Sequence, residues 1–348
     1  MASVANNELH WGIGVDPQQP AVILSGRHGH GERHLLRVRE VPTRLRLSLL
    51  DLTVAAQRRS AELAGFYRRK HSLPLGRCRH DGHMSKRPDG LRLVFEDDFD
   101  ADELDRDVWI PHYLPAWSSR AETAATYAIA DSCLSLTIPQ SQGLWCPDDH
   151  QPPLRVSGIQ SGNFSGSVGS TIGQQPYRDG LTVREEQQTF WGWTPNQGYI
   201  EMRTRSVVTP RSMVAFWLVG LEDQPQRSAE ICVAEMFGDA VETGESTAVG
   251  MGLHAFRDPS VTEDFQAVRL PIDAADFHTY AVDWTADSAV FVVDGVDIRS
   301  CPKPPAYPLQ LMIAVFDFPA KSNGADDEQV PELIVDYVRG YEREAGGQ

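Results

Sequence analysis

Long apolar runs are absent from this 348-residue sequence, and none reaches the 18 residues that indicate a transmembrane helix. A basic N-terminal segment followed by an apolar one is also missing, so we find no signal peptide. The five cysteines, Cys78, Cys133, Cys146, Cys232 and Cys301, are odd in number and scattered, unlike a disulfide framework or a zinc site. Cys133 and Cys146 are candidates for a disulfide if the chain is secreted, but a reduced interior is the preferred interpretation.

Basic residues are scarce in most of the chain. Residues 91–348 carry 17 Lys+Arg against 40 Asp+Glu, a net charge of −23. Binding to phosphate backbones needs a basic surface, so we expect no nucleic-acid partner. Residues 1–90 carry 15 Lys+Arg against 8 Asp+Glu, a net charge of +7, and seven of the 11 histidines. This asymmetry indicates two regions of different character.

The basic region shows no clear domain pattern. Loose helical spacing between Leu45 and Phe66 is consistent with a helix that binds a partner or an anionic surface. The preferred hypothesis is that residues 1–90 form a weakly structured segment, or lie upstream of a natural start at Met84. A β domain is then expected over residues 91–345.

Helical patterns of 10–15 residues do not alternate with strands, so a doubly wound fold is not expected. Short strand-like runs separated by turn-rich stretches instead predict an all-β fold, a two-sheet antiparallel β-sandwich with a concave cleft. There is no internal repeat. The predicted strands are Leu91–Phe95, Tyr127–Ile129, Leu134–Ile138, Gly198–Arg205, Met213–Val219, Glu230–Glu235, Ala248–His254, His278–Trp284, Ala289–Val293, Gln310–Phe316 and Leu333–Tyr341.

Residues 139–197 are irregular and rich in Pro, Gly, Ser and Gln. Loops of this length in a compact domain are usually functional or disordered. Trp145, Trp191 and Trp193 lie in this stretch, and aromatic faces stack on sugar rings. Packing and ligand binding are equally good explanations for these tryptophans. Trp145, Trp193 and also Trp117 are candidates for substrate contacts.

The run Glu230–Glu235 places two carboxylates around apolar residues. In a regular strand Glu230 and Cys232 share one face, whereas Glu235 would fall on the core face with Ile231 and Val233. An unpaired carboxylate in the core costs several kcal/mol. One extra residue, a β-bulge, returns Glu235 to the face of Glu230.

Two flanking runs complete a predicted cleft. Alternation puts Trp217 on one face of the run before the glutamates, and Gly250, Gly252 and His254 on one face of the run after them. If these strands are neighbours, Trp217, both glutamates and His254 share one surface, on which the small residues leave room for a ligand. A glutamate pair, a histidine or a tryptophan alone is a weak signal, since each is more often structural. The joint pattern is more specific.

The sequence resembles glycoside hydrolase family 16, the laminarinase-like group with a concanavalin-type jelly roll. Glu230–Glu235 is similar to the bulged E-I-D-I-x-E motif at both glutamates, with Cys232 in place of the central aspartate. Further similarity to family strands runs from about Leu91 to Glu342 in the expected order. It is carried by Leu93–Phe99, Gly198–Arg203, Val214–Leu218, Phe277–Tyr280, Val293–Gly295 and Val335–Arg339.

The resemblance implies that Glu230 is the nucleophile and Glu235 the general acid/base of a retaining glycosidase. It also implies that Trp217, Trp193 and His254 lie in or beside sugar subsites. Asp336 corresponds to a position near a structural calcium that some members carry, and no other cofactor is expected. A thiol at Cys232 is a weaker hydrogen-bonding partner than aspartate and removes one negative charge beside Glu230.

The resemblance makes an endo-β-glycosidase acting on a polysaccharide, foremost a β-1,3-glucan, the leading hypothesis. A transglycosylase that uses the same glutamates and a non-catalytic glycan-binding protein are the alternatives. We expect a monomer without a transmembrane segment. Extracellular action suits a polysaccharide substrate, although the sequence shows no export signal.

Overall fold

The computed structural model describes residues 12–15, 22–27, 33–38, 90–324 and 328–344. The chain divides into two compact units, Met1–Lys70 and His71–Gln348. In the first unit β1 (Gly12–Val15), β2 (Val22–Arg27) and β3 (Arg33–Val38) form a three-stranded antiparallel sheet. The expected helix between Leu45 and Phe66, and Met84, lie outside the described residues. The boundary between residues 90 and 91 stays a prediction.

The second unit contains two large antiparallel sheets. The eight-stranded sheet consists of β4 (Leu91–Asp97), β5 (Thr126–Ala130), β6 (Cys133–Thr137), β10 (Gly198–Val207), β16 (His278–Trp284), β17 (Ser288–Val293), β18 (Val296–Pro302) and β20 (Glu332–Arg343). Its order is β18-β17-β16-β10-β20-β6-β5, with β4 also paired to β20. Twelve-residue β20 therefore joins three partners.

The seven-stranded sheet consists of β7 (Arg155–Gln160), β11 (Ser212–Gly220), β12 (Glu230–Phe237), β13 (Val241–Glu242), β14 (Ser246–His254), β15 (Asp264–Leu270) and β19 (Leu309–Asp317). Its order is β13-β14-β12-β11-β19-β7, with β15 also paired to β14. A separate two-stranded ladder joins β8 (Gly162–Asn163) and β9 (Phe190–Trp191). Three 3-10 turns cover Pro115–Trp117, Gly238–Ala240 and Pro319–Lys321.

The two large sheets pack face to face around the core. The Tyr280 hydroxyl of β16 donates a hydrogen bond of 3.4 Å to Met236 Sδ of β12, which links the layers directly. All nine residues of β11 and all nine of β19 are buried. Burial on both faces means that these central strands are covered by the other sheet on one side and by loops on the other. The predicted antiparallel β-sandwich is confirmed.

Four strands of the sandwich are missing from the strands predicted from the sequence: β7, β13, β15 and β18. All four lie at sheet edges. Edge strands have solvent on one side and tolerate Gly, Ser, Asp and Arg, so their alternation of apolar and polar residues is weak. Among the described residues, no helix is long and apolar enough to cross a membrane.

The structure also corrects the cysteine predictions. Cys133, at the start of β6, is disulfide-bonded, whereas Cys146, Cys232 and Cys301 are free and buried. The candidate Cys133–Cys146 disulfide is therefore wrong, and the predicted reduced interior holds for Cys146, Cys232 and Cys301 but not for Cys133. The Cys146 thiol lies instead in the loop layer, where it donates a hydrogen bond of 3.4 Å to the Trp117 carbonyl.

Candidate active site

Strand β12 carries the predicted β-bulge. Against β14, Cys232 is paired with Gly252 and Glu235 with Gly250, so three steps along β12 match two along β14. The ladder with β11 shifts at the same place. The extra residue reverses the alternation of faces between Cys232 and Glu235. The parity argument from the sequence is confirmed.

As a result, the two glutamates share the face that points away from the other sheet. Glu230 lies opposite His254, and Glu235 lies opposite Gly250, both on the same face of β14. Met236, next to Glu235 and therefore on the other face, contacts Tyr280 in the core. The glutamate face is thus the outer face of the seven-stranded sheet, and loops cover part of it.

The side chain of Glu235 is held in its neutral form at neutral pH. Burial raises its pKa to about 8, and the negative charge of Glu230 contributes to the increase. The two carboxyl groups are therefore close enough to influence each other. A carboxylic acid that keeps its proton at pH 7 is equipped to act as a general acid.

Glu230 lies deeper, with 2% of its surface exposed. Burial raises the pKa of its carboxyl group, while His254 and a hydrogen bond from Gln175 lower it. That bond runs from Gln175 Nε2 to Glu230 Oε2 at 3.2 Å. Donors aimed at a carboxylate favour its ionised form, which is the form a nucleophile needs.

His254 lies beside Glu230 and is oriented by its neighbours. Its Nδ1 donates to Glu263 Oε1 at 2.6 Å, and its ring stacks on Phe265 at 4.6 Å between centroids. The ring also lies 5.7 Å from Phe256, which is 44% exposed. Sequence reasoning missed both phenylalanines, because β15 was not predicted and Phe256 follows the end of β14.

The glycines of β14 make room for a side chain of the protein, and this changes the interpretation made from the sequence. A Cβ atom on Gly250 would lie 2.5 Å from Cζ of Phe265. Gly252 has φ +149°, and a Cβ there would collide with the carbonyl oxygen of Asp264. These small residues admit the edge strand β15 and its Phe265 ring, so they do not mark space for a ligand.

Trp117 and Trp145 are buried, and their indole N–H groups donate to backbone carbonyls of the loops. Trp117 is fully buried, and its Nε1 donates to the Gln174 carbonyl at 2.6 Å. Trp145 Nε1 donates to the Tyr113 carbonyl at 3.1 Å. Both indole N–H groups are taken up by backbone carbonyls, and neither ring is exposed to solvent in this structure.

Tyr113 was not predicted from the sequence, and no motif marks it. It is buried, its ring lies edge-on to Phe316 of β19 at 5.4 Å, and it packs similarly on Trp145 at 5.3 Å. Burial and the charge of Glu230 raise the pKa of its phenol. The hydroxyl therefore stays protonated beside the glutamate pair.

The remaining predicted tryptophans lie in different places. Trp217 is on the glutamate face as the register partner of Cys232, and is 2% exposed. Trp193 stacks on Phe95 of the eight-stranded sheet at 4.0 Å, and its ring fills the space above Gly340. The structure thus places it against the other sheet, away from Glu230 and Glu235. Trp191, on β9, is 43% exposed.

Asp336, predicted to lie near a structural calcium, is buried on β20. Its carboxylate forms a buried ion pair with Arg203 across the β10–β20 ladder. Among the described residues, no group of three or more His, Cys, Asp or Glu side chains has an arrangement that would hold a metal ion. The Oδ1 of Asp336 is buried without a hydrogen-bond partner among the described residues, and the calcium site stays a prediction.

Cys232 separates the two glutamates and makes only weak contacts. It is 1% exposed, its Sγ lies 3.9 Å from the Gly250 carbonyl, and burial and both glutamates raise its pKa well above the usual value. The Nε1 of its partner Trp217 is buried without a hydrogen-bond acceptor among the described residues. An oxygen acceptor is therefore missing at this position.

We expect Cys232→Asp to move the alkaline limb of the pH–activity profile upward by about one pH unit, because a further negative charge disfavours ionisation of Glu235. The measurement is kcat/KM against pH for a soluble glycan substrate. Cys232→Asn is the matched control, since it offers an acceptor to Trp217 without a charge. Equal profiles for both variants would show that charge at this position has no effect.

Comparisons with known proteins support the family resemblance. The sequence model of Glycosyl hydrolases family 16 matches residues 192–331, which include β12 and both glutamates. Two curated proteins of Rhizobium meliloti (strain 1021), both named endo-1,3-1,4-beta-glycanase, are similar. ExsH is 26% identical over 196 residues, covering 55% of this chain and 39% of its own length. EglC is 27% identical over 267 residues, covering 73% and 52%.

A solved structure shares the fold. The GlcNAcα1-4Gal-releasing endo-β-galactosidase from Clostridium perfringens superposes with a TM-score of 0.64 at 23% identity, covering 75% of this chain and 65% of that chain. At this identity the likeness concerns the fold. The matched part of this chain spans only 52% of the length of EglC and 39% of the length of ExsH.

Proposed function

Because the sequence model of Glycosyl hydrolases family 16 matches residues 192–331 and two similar proteins are named endo-glycanases, we propose that this chain is a member of that family, a retaining endo-β-glycanase that uses Glu230 and Glu235. The observation that carries this proposal is the bulge in β12, which brings both carboxylates to one face. A regular strand would bury one of them in the core. Double displacement needs two carboxyl groups that flank the scissile glycosidic bond at a separation of about 5–5.5 Å, one ionised and one protonated.

The environments of the two glutamates support separate roles. Glu230 accepts a hydrogen bond from Gln175 and is the proposed nucleophile, which forms a bond to the anomeric carbon. Glu235, with a pKa of about 8, is the proposed acid that transfers its proton to the departing glycosidic oxygen. In the second step Glu235 takes a proton from water, and the water oxygen replaces Glu230 at the anomeric carbon.

We propose a glucan with β-1,3 linkages, alone or mixed with β-1,4, as the substrate. The names of the two Rhizobium meliloti relatives support this choice. Exposed aromatic side chains near the glutamates, such as Phe256 at 44%, suit stacking on sugar rings. The similar Clostridium perfringens enzyme acts on a galactoside, so a galactoside belongs in the substrate panel.

The test is reducing-sugar release from four glycans: a β-1,3-glucan, a mixed β-1,3-1,4-glucan, a β-1,4-glucan and a glycan with terminal GlcNAcα1-4Gal. We expect turnover of the first two with internal cleavage, seen as a rapid fall in viscosity. Proton NMR during the reaction should show the β-anomer first, because two displacements retain configuration. Initial release of the α-anomer would refute double displacement.

The same experiment separates the alternatives. A transglycosylase would release longer products in preference to hydrolysed ones, which chromatography of the products resolves. A non-catalytic glycan-binding protein would retain the glycan in affinity electrophoresis and release no reducing ends. Binding without turnover by the wild type would refute the proposed activity.

A further inference from the structure

Gln175 is the side chain outside β12 with a direct hydrogen bond to Glu230 in the described part of the chain. It comes from the irregular loop region, is 5% exposed, and adopts φ 43°. This left-handed conformation is uncommon and unfavourable for a residue with a side chain. Such conformations persist where the surroundings hold them in place, and they concentrate at functional sites.

Three contacts hold the backbone around Gln175. Its own N–H donates to Glu222 Oε1 at 2.6 Å. The carbonyl of the preceding Gln174 accepts from Trp117 Nε1 at 2.6 Å, and the Gln174 side chain accepts the N–H of Phe164 at 3.0 Å. The backbone at Gln175, and with it the starting point of the side-chain amide, is therefore fixed by Glu222, Trp117 and Phe164.

Glu222 is in turn fixed and neutralised. It follows β11 in a left-handed conformation with φ 59°, is 3% exposed, and pairs with Arg257 from the segment after β14. The Arg257 N–H donates to Ser228 Oγ at 2.9 Å. Three separate connections of the seven-stranded sheet thus converge on one amide beside Glu230. Without Arg257, Glu222 would add a negative charge near the pair of glutamates.

The chemistry of the amide sets its orientation. Gln175 Nε2 donates to Glu230, and its Oε1 is buried without a partner among the described residues. The reverse orientation would bring two acceptor oxygens into contact, which an ionised Glu230 does not permit. Leaving a buried acceptor unpaired is unfavourable, and the donated hydrogen bond to a charged group offsets that cost.

We propose that Gln175 is a positioning residue that keeps the Glu230 carboxyl group ionised and aimed into the cleft, with Glu222 and Arg257 fixing its place. This proposal rests on the proposed function for its kinetic consequences. The charged and titratable groups around Glu230 are Glu235 and Cys232 on its own strand, His254 and Glu263 from β14 and the segment after it, and Tyr113 from the loop layer.

Gln175→Met tests this role, because it keeps the length and the backbone cost of the side chain but removes the donor. We expect kcat to fall about 10- to 100-fold with little change in KM, as for the loss of a hydrogen bond to a charged group. The acid limb of kcat/KM should move about one pH unit upward, since Glu230 then ionises less readily. Gln187→Met is the matched control: Gln187 is 3% exposed, and its side chain accepts from Arg120 Nε at 2.8 Å and donates to the Glu185 carbonyl at 3.0 Å.

A second readout does not depend on turnover. In protein labelled with 13C-glutamate, the Glu230 carboxyl signal is assigned by its loss in Glu230→Gln, and its pKa is measured by titration. We expect a higher pKa in Gln175→Met and the wild-type value in Gln187→Met. If the wild type is inactive but this shift occurs, the proposed function fails while the positioning role stands. An unchanged Glu230 pKa, or kinetics equal to those of the control, overturns the positioning role.

Discussion

Glu230→Gln is expected to lower kcat on β-1,3-glucan by about 10⁴-fold or more, because an amide cannot form the glycosyl ester through which double displacement proceeds. The variant keeps the shape of the side chain. Glycan binding should therefore remain. The variant also removes the buried charge that raises the pKa of Glu235. The measurement is initial-rate kinetics together with affinity electrophoresis on the same glycan.

Loss of activity must be separated from loss of fold. Glu201→Gln is the matched control, since Glu201 is 1% exposed, lies on the eight-stranded sheet, and accepts the Tyr341 hydroxyl at 3.1 Å. Both variants should unfold at temperatures similar to the wild type, and only Glu230→Gln should be inactive. Glu230 is not the nucleophile if Glu230→Gln keeps more than a tenth of wild-type turnover.

Chemical rescue identifies the role more directly. In Glu230→Ala, azide can occupy the space of the lost carboxylate and attack the anomeric carbon of an activated aryl glycoside from the same side. The phenolate leaves, and one displacement gives a glycosyl azide of inverted configuration. Rescue with retained configuration would assign Glu230 to acid/base catalysis instead.

The central site could be predicted from the sequence because period-two alternation is a strict constraint. A buried strand cannot place Glu235 in the core, so the bulge follows from residue types alone. The pairing of Glu230 with His254 follows from chain order, since sequential strands tend to be neighbours. These arguments depend on one backbone period and need no knowledge of the loops.

The loop layer could not be predicted in this way. Gln175 and Tyr113 lie next to Glu230, yet neither belongs to a periodic pattern, and their positions depend on contacts distant in sequence. Trp117 and Trp145 were predicted to contact substrate, but their indole N–H groups hold the backbone at Gln174 and Tyr113. A tryptophan in a polar loop indicates that the loop is ordered, whereas exposure decides whether its ring is available to a ligand.

The two layers therefore make different contributions to the site. The sheet positions the glutamates on one face, while the loops adjust their ionisation through burial, Gln175 and the charge around His254. Burial raises the pKa of both carboxyl groups, and the hydrogen bond from Gln175 opposes this at Glu230 only. The difference between the two environments is what separates a nucleophile from an acid.

Glu235→Gln is expected to lower kcat on β-1,3-glucan by about 10³-fold, because the sugar leaving group then departs without a proton. An aryl glycoside with a dinitrophenolate leaving group needs no such proton, and its first step should slow less than about tenfold. The measurement is the ratio of the two losses. Equal losses on both substrates would contradict the acid role and indicate damage to binding or fold.

The pH profile gives the same assignment independently. Since Glu235 must carry its proton to act as an acid, wild-type kcat/KM should be present below pH 8 and fall as pH rises through its pKa of about 8. In Glu235→Gln the amide does not titrate, so this alkaline limb should disappear with the aryl substrate. Persistence of the limb would place the titrating group elsewhere. If the limb is instead lost in Glu235→Gln, an upward shift of the alkaline limb in Cys232→Asp, but not in Cys232→Asn, would independently locate the acid on β12 beside residue 232.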